Sequence, residues 1–456
     1  MPPQLFPLST ERAVSRIRAH EPRVRCYVTT RLDEALVDAR RIGAEPVRGP
    51  LHGVPDGLKD EFDTPHLPTT GGSWRHRHRR TPGVASTPFR AFDEAGAVLV
   101  GKSNLSDMGL APEASSYVGG STANPFDPSR TAGGSSGGAA AAVAYGLHGF
   151  DWGTDIGGSI RLPAAFCGVL GLRLSHETWP IRELFPSVPE SMAWLCGQGP
   201  FTRTVEQMRA VLDGAAPHLA RGGARPFHLS SVALYAPDHG HWPTFATDVA
   251  PLLGRATGVP VAQTDALAPP SRMREIYAGI WASHFEELLA VDEGVTLASG
   301  LSAVLSAVVF RGAFGDLRFH QTTAELLLLI ALGRITVFRD RERQRALAFG
   351  VRDAFARLWA AGQLVVAPVT AYPPPRILRS NRTAHLLSCT VVGNLADATG
   401  LAIPFGTFDG RLPRAIQLLG PPGSERLLLD VAQRIVELRD ADPSLRQPAT
   451  ELDSDA

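Results

Sequence analysis

The chain has 456 residues, 44% of them apolar, and its 45 basic residues balance 45 acidic ones. A chain of this size can bury a large core, and the charge balance excludes the basic excess that a nucleic-acid or polyanion partner demands. Four cysteines (Cys26, Cys167, Cys196, Cys389) are scattered without paired spacing, which reads as a reducing compartment rather than a disulfide framework or a zinc site.

Residues 1–14 lack the apolar centre of a secretory leader. The longest apolar runs, such as Leu326 to Leu332, fall far short of the roughly 20 residues a spanning helix needs. The expectation is a cytoplasmic protein with no membrane insertion.

In chain order, residues 11–42 read as helical from Ala13, Val14, Ile17, Leu32, Ala35, Leu36 and Ala39. A Gly/Pro break follows at Gly49 to Pro55. Then come a helix over Phe89 to Ala95, a turn at Gly96 and a short strand over Ala97 to Val100. Residues 119–138 form a long Gly/Ser/Thr/Pro segment, of the kind that inside a compact domain is functional or disordered. The small-residue run Ala139 to Ala144 predicts a buried helix, and a second Gly-rich turn covers Gly153 to Ser159. Residues 204–214, 270–290 and 321–360 read as helices, Val365 to Pro368 as a strand, and Val391 to Thr399 and Ser424 to Leu438 as closing helices. This alternation argues an α/β fold. No internal repeat or linker divides the chain, so one domain over 1–456 is expected.

Of the basic residues only Lys59 and Lys102 are lysine; the other 43 are arginine. Arginine does not lose its proton in a protein, whereas a desolvated lysine can. Both lysines are therefore candidates for chemistry. Lys102 closes Gly96-Ala-Val-Leu-Val-Gly101-Lys102-Ser103, which spells a phosphate-loop pattern. That loop must curl between a strand and a helix, and here Ala-Val-Leu-Val is itself the strand, so Lys102 reads as structural or at a site edge. Gly134-Ser135-Ser136-Gly137-Gly138 spells a nucleophile elbow, but a proline-broken loop stands where the elbow needs a strand. The run Arg75-His-Arg-His-Arg-Arg80 carries too much positive charge for a metal. No metal and no organic cofactor is expected.

In Gly153-Thr-Asp-Ile-Gly-Gly-Ser159-Ile-Arg161, adjacent glycines can point successive backbone N–H groups into one anion-holding concavity ahead of a serine. The alternative is a tight turn whose serine caps a helix. A serine nucleophile needs a base, and no histidine lies in or beside the segment. Lys59, in Gly53-Val-Pro-Asp-Gly-Leu-Lys59-Asp, would serve if burial made its neutral form accessible. The alternative there is a surface pair with Asp60.

These segments together resemble the amidase signature family. The resemblance runs through the Lys59 segment, Gly101-Lys-Ser-Asn-Leu-Ser, Asn124 to Gly138, Gly153 to Ala164, Gly168-Val-Leu-Gly-Leu-Arg, Gly199-Pro-Phe-Thr-Arg-Thr-Val, Leu401-Ala-Ile-Pro-Phe-Gly and Ala415-Ile-Gln-Leu-Leu-Gly. By position it implies Lys59 as base, Ser135 in a cis peptide as proton bridge and Ser159 as acyl-forming nucleophile. The N–H groups of Ile156, Gly157, Gly158 and Ser159 would form the oxyanion hole, with Ser136, Asp155 and Arg161 in support. It further implies a mixed central sheet covered by helices on both faces. The signature core would lie at about 45–215, a variable, mostly helical substrate-side region at about 220–350, and a part completing the core at about 360–440.

The implied reaction is hydrolysis of a small carboxylic amide to acid and ammonia or amine; a homodimer is compatible with it. The rivals are the amidotransferase A subunit of tRNA-dependent Gln/Asn formation, an α/β-hydrolase-type esterase, and an inactive binding homologue. That amidotransferase chain commonly carries Gln where this one has Leu162. The chain also departs from the family pattern at Asp56-Gly57-Leu58, where apolar residues are expected ahead of the lysine. Phe285, Leu288, Leu289, Leu326 and Leu329 are expected on helices near the acyl pocket.

Overall fold

The structure is a computed structural model that describes residues 5–81, 83–220, 227–284, 286–287, 319–336, 340–383 and 385–445. Its frame is an 11-stranded mixed sheet. The strands in chain order are β1 (Tyr27–Thr30), β2 (Pro55–Lys59), β3 (Val98–Ser103), β4 (Ser115–Ser116), β5 (Gly120–Ser121), β6 (Phe150–Asp155), β7 (Leu170–Arg173), β8 (Gly197–Thr202), β9 (Ser231–Leu234), β10 (Val261–Gln263), β11 (Gln363–Pro368), β12 (Thr399–Phe408) and β13 (Leu412–Gly420). The large sheet runs β1-β3-β2-β6-β8-β7-β12-β13-β11-β9-β10, and β4 and β5 pair separately. β2 is parallel to both β3 and β6, whereas β8, β7, β12 and β13 follow antiparallel.

Helices cover both faces of the sheet. One face carries Leu58, Phe150, Trp152, Leu401 and Ile403 in a cluster with Met208, Val211, Leu252 and Leu428. The other packs the small-residue helix Gly137–Ala144 against Val98, Val100 and Phe201. That helix is buried along its whole length. Its alanines and glycines let backbone approach backbone, which places the chain just before it, Gly134 to Ser136, against the ends of β2 and β6.

Three expected elements differ. The stretch 11–42 is two helices, Thr10–Val24 and Leu32–Gly43, around strand β1. The Glu21 carboxylate accepts the N–H groups of Cys26 and Tyr27, and Arg25 takes a left-handed conformation, which turns the chain into the sheet. The helix at 391 stops at Leu395, because Asp397, again left-handed, is tied to Arg173 and to the N–H groups of His176 and Glu177. Thr399 then opens β12. Residues 321–360 hold two helices, Gln321–Thr336 and Arg341–Ala360.

Candidate functional site

The site forms where β2 and β6 end side by side and the loop before Gly137–Ala144 crosses them. Lys59, the last residue of β2, is fully buried. Its Nζ donates to Ser135 Oγ at 2.7 Å and to Thr154 Oγ1 at 2.7 Å, and lies 3.1 Å from Glu61 Oε2. Burial pushes the Lys59 ammonium below the ordinary lysine range, while Glu61, Asp155 and Asp151 push it back up. Lys59 thus makes no pair with Asp60. Asp60 pairs instead with Lys102, at 3.0 Å, and Lys102 Nζ also donates to Thr69 Oγ1. Lys102 is a buried structural ion pair with no phosphate loop around it.

The Gly134–Ser135 peptide is cis. Ser136 N–H donates to the Ser159 carbonyl at 3.2 Å, and its hydroxyl donates to the Thr154 carbonyl. The first bond joins the two Gly-rich segments backbone to backbone and the second ties the Ser136 side chain to β6, so the chain at Ser135 lies against the turn that carries Ser159. Gly153 and Asp155 end strand β6, and the turn proper covers Ile156 to Ser159.

Asp155 organises that turn. Its fully buried carboxylate accepts the N–H groups of Gly158, Ile160 and Arg161 and pairs with the Arg161 guanidinium at 2.9 Å. Burial alone would raise Asp155, but Arg161, Arg173 and Asn394 outweigh it and hold the carboxyl well below the usual carboxylate range. Arg161 is held in turn by the Thr390 carbonyl, Gln417 and Asn394. The carbonyls of the turn are tied back as well: Ile156 accepts from the Tyr277 hydroxyl at 2.9 Å and Gly157 from Thr390 Oγ1 at 2.8 Å. Gly158 has φ +124°, where a Cβ would run into Thr390.

One of the four N–H groups expected to form the oxyanion hole is already bonded. The Gly158 N–H is already committed to Asp155 Oδ1 at 2.8 Å. A donor facing a buried carboxylate cannot also serve an incoming oxyanion without giving up a charge-assisted bond. The N–H groups of Ile156, Gly157 and Ser159 make no such bond to Asp155.

Ser159, Gly157, Ile156 and Gly134 form the floor of a cavity of about 480 Å³. Its walls are mostly apolar: Trp281 and Ala278 from helix Pro270–Ser283, Leu326, Leu329 and Ile330 from Gln321–Thr336, and Leu386 and Leu387 beyond. Of the residues expected near the pocket, Leu326 and Leu329 line it; Phe285, Leu288 and Leu289 lie outside the described residues.

Within Asp56-Gly57-Leu58 the glycine has a steric reason, and nothing in the structure explains the acidic residue at 56. A Cβ on Gly57 would overlap Asp151 Oδ2 and His148 Cε1. Asp56 faces away from Lys59, on the same side of β2 as Leu58. Burial, with Asp151 nearby, pushes its carboxyl well above the usual range.

Reading the sequence missed Glu61, Thr154, Tyr277, Thr390, Asn394 and Gln417. Thr154 and Glu61 lie within or beside the quoted motifs, and their polarity next to a buried lysine was an available signal. Gln417 lies inside the quoted Ala415-Ile-Gln-Leu-Leu-Gly segment, but nothing there ties it to Arg161; Tyr277, Thr390 and Asn394 arrive from far along the chain, and no quoted motif marks them. Among the described residues no group of three or more His, Cys, Asp or Glu is placed to hold a metal ion, and no helix is long and apolar enough to cross a membrane.

Comparison with known proteins agrees with this fold. The Amidase family pattern matches residues 9–224. The A subunit of the glutamyl-tRNA(Gln) amidotransferase from Synechococcus sp. (strain RCC307) is 31% identical over 470 residues, covering 94% of this chain and 93% of that protein. A crystal structure of an amidase superposes with TM-score 0.76 at 24% identity, over 94% of this chain and 96% of that one. A bacterial aryl acylamidase of the amidase signature enzymes superposes with TM-score 0.75 at 23% identity, over 94% and 93%. With the motif order, the mixed sheet and a relative matched over nearly its whole length, the chain belongs to the amidase signature family.

Proposed function

We propose that this protein hydrolyses a carboxylic amide through an acyl-enzyme on Ser159, with Ser135 as proton bridge and Lys59 as base. The observation that carries the reading is the 2.7 Å contact between a fully buried Lys59 Nζ and Ser135 Oγ, in a segment bonded backbone to backbone with Ser159. Desolvation favours the neutral amine, the form a base requires. In this reading Ser159 gives its proton to Ser135 as Ser135 gives its own to Lys59. Ser159 Oγ attacks the carbonyl, and the oxyanion rests on the N–H groups of Ile156, Gly157 and Ser159. The proton returns to the leaving nitrogen, and water opens the ester by the same route. The apolar cavity favours an apolar acyl group.

A second reading, the amidotransferase A subunit, is favoured by the 31% identity to such proteins across nearly the whole chain. Against it, the position where that subunit commonly carries Gln is Leu162, fully buried in a cluster with Phe166 and Leu386.

The test is turnover on amides of graded acyl size, from acetamide through glutamine to long-chain and aryl amides, read by release of ammonia or amine. Hydrolysis of apolar amides by the isolated chain, with a serine-reactive fluorophosphonate labelling Ser159 and no turnover in Ser159→Ala, supports the first reading. Activity confined to glutamine, with a second protein co-purifying, replaces it with the second. Labelling at Ser136 instead of Ser159 overturns both.

A further inference from the structure

Glu61 stands two residues beyond Lys59, where the chain leaves β2. Its side chain is 8% exposed, and its Oε2 lies 3.1 Å from Lys59 Nζ. The same oxygen accepts the Thr154 hydroxyl at 2.7 Å, and that hydroxyl accepts from Lys59. The Lys59 ammonium donates to Ser135 and Thr154 and stands in ion-pair contact with Glu61. Of these partners only Glu61 carries charge. The backbone makes room for it: Gly109, at φ +68°, stands where any Cβ would run into Glu61 Oε1.

We propose that Glu61 is the positioning residue of the base: its carboxylate aims Lys59 at Ser135 and stabilises the ammonium that forms when Lys59 takes up the nucleophile's proton. The proposal rests on the reading of Lys59 as base. In acylation the Ser159 proton passes to Ser135 Oγ while the Ser135 proton passes to Lys59 Nζ, and the Ser159 Oγ–carbon bond forms. The positive charge so created appears 3.1 Å from Glu61 Oε2. It disappears when the leaving nitrogen takes the proton back. A carboxylate there favours the charged transition state over the neutral starting base, as the third member of a hydrolase triad does.

The other charges around Lys59 are engaged elsewhere. Asp155 is paired with Arg161, Asp151 faces His148 at 3.3 Å, and Asp60 faces Lys102. Cys196 shares a small cavity of about 60 Å³ with Glu61 and Thr154, and burial keeps it a thiol.

The test is the second-order rate of Ser159 labelling by a fluorophosphonate as a function of pH, a readout that needs no known substrate. Glu61→Gln keeps the shape and removes the charge. Its acidic limb should move down by about one pH unit, because the ammonium loses an opposite charge within about 4 Å. Its plateau rate should fall about 10-fold or more, because the base is weaker and the ammonium unsupported. Glu61→Asp, with the charge withdrawn by one methylene, should fall between the parent and Gln; it carries the test alone if the Gln variant does not fold. A purely structural Glu61 would lower the melting temperature and leave the limb in place, and an unmoved limb in either variant overturns the proposal. Lys59→Arg separates the two failures. If it labels normally, the base reading itself falls; if it is silent while the Glu61 limbs stay fixed, only the role of Glu61 falls.

Discussion

Lys59 and Lys102, the two lysines among 45 basic residues, are both fully buried on the adjacent parallel strands β2 and β3 and send their side chains to opposite faces of the sheet. Leu58 pairs in register with Lys102 and Lys59 with Ser103, so the pleat separates the amines. Lys102 meets Asp60 and Thr69, a closed ion pair. Lys59 meets two hydroxyls and Glu61 at the strand end. One lysine is structural and the other is the candidate base.

Lys59→Arg should lower the rate of Ser159 acylation at least roughly 100-fold, since a guanidinium stays protonated and a positioned base contributes that much or more. Lys59→Met, closer in volume and uncharged, should be as inactive and controls for the larger buried side chain. Single-turnover labelling checks both, with circular dichroism to show folding. In the parent, the labelling rate should rise with pH as Lys59 deprotonates, below the ordinary lysine value of about 10.4, because burial depresses it. A profile flat through that range contradicts a lysine base.

Asp155→Asn should cost about 3–5 kcal/mol at pH 7, the penalty for leaving one partner of a buried ion pair uncompensated, here Arg161. The folded-state pKa of Asp155 is depressed. Its contribution is therefore present above the unfolded value near 3.9 and is lost as pH falls through the folded value. Urea unfolding at pH 7 should separate parent and variant, and the gap should narrow toward acid. Equal midpoints at pH 7 would count against Asp155 as the organiser of the turn.

Gly57→Ala should destabilise by about 1–3 kcal/mol, the usual result of forcing a methyl into filled space, because the new Cβ overlaps Asp151 and His148. Elsewhere in a strand the same change stabilises, so the sign is diagnostic. A higher unfolding midpoint by calorimetry would refute the steric reading.

The sequence by itself carried what short-range chemistry can encode. Lysine scarcity singled out Lys59 and Lys102, since burial can make an amine neutral whereas a guanidinium keeps its proton. The Gly-rich segments ending at Ser135 and Ser159 were legible because glycines are needed wherever backbone N–H groups must converge. Alternating elements indicated the α/β class. The strands β12 and β13 escaped notice as a hairpin, although Asp409-Gly410 between them, both at positive φ, is a turn signal. The helical reading of 11–42 missed strand β1 because Glu21 accepts the N–H groups of Cys26 and Tyr27, a bond that periodicity does not register.

Tertiary structure decided the rest, because those contacts join residues with no common local pattern. Arg161 is gripped by Thr390, Asn394 and Gln417, more than 220 positions away, and Tyr277 holds the Ile156 carbonyl from 121 positions away. Asp155 claims the Gly158 N–H and leaves those of Ile156, Gly157 and Ser159 without a bond to it. The partner of Lys59 is Glu61 rather than its neighbour Asp60, because successive residues at the end of a strand point to opposite sides of the sheet.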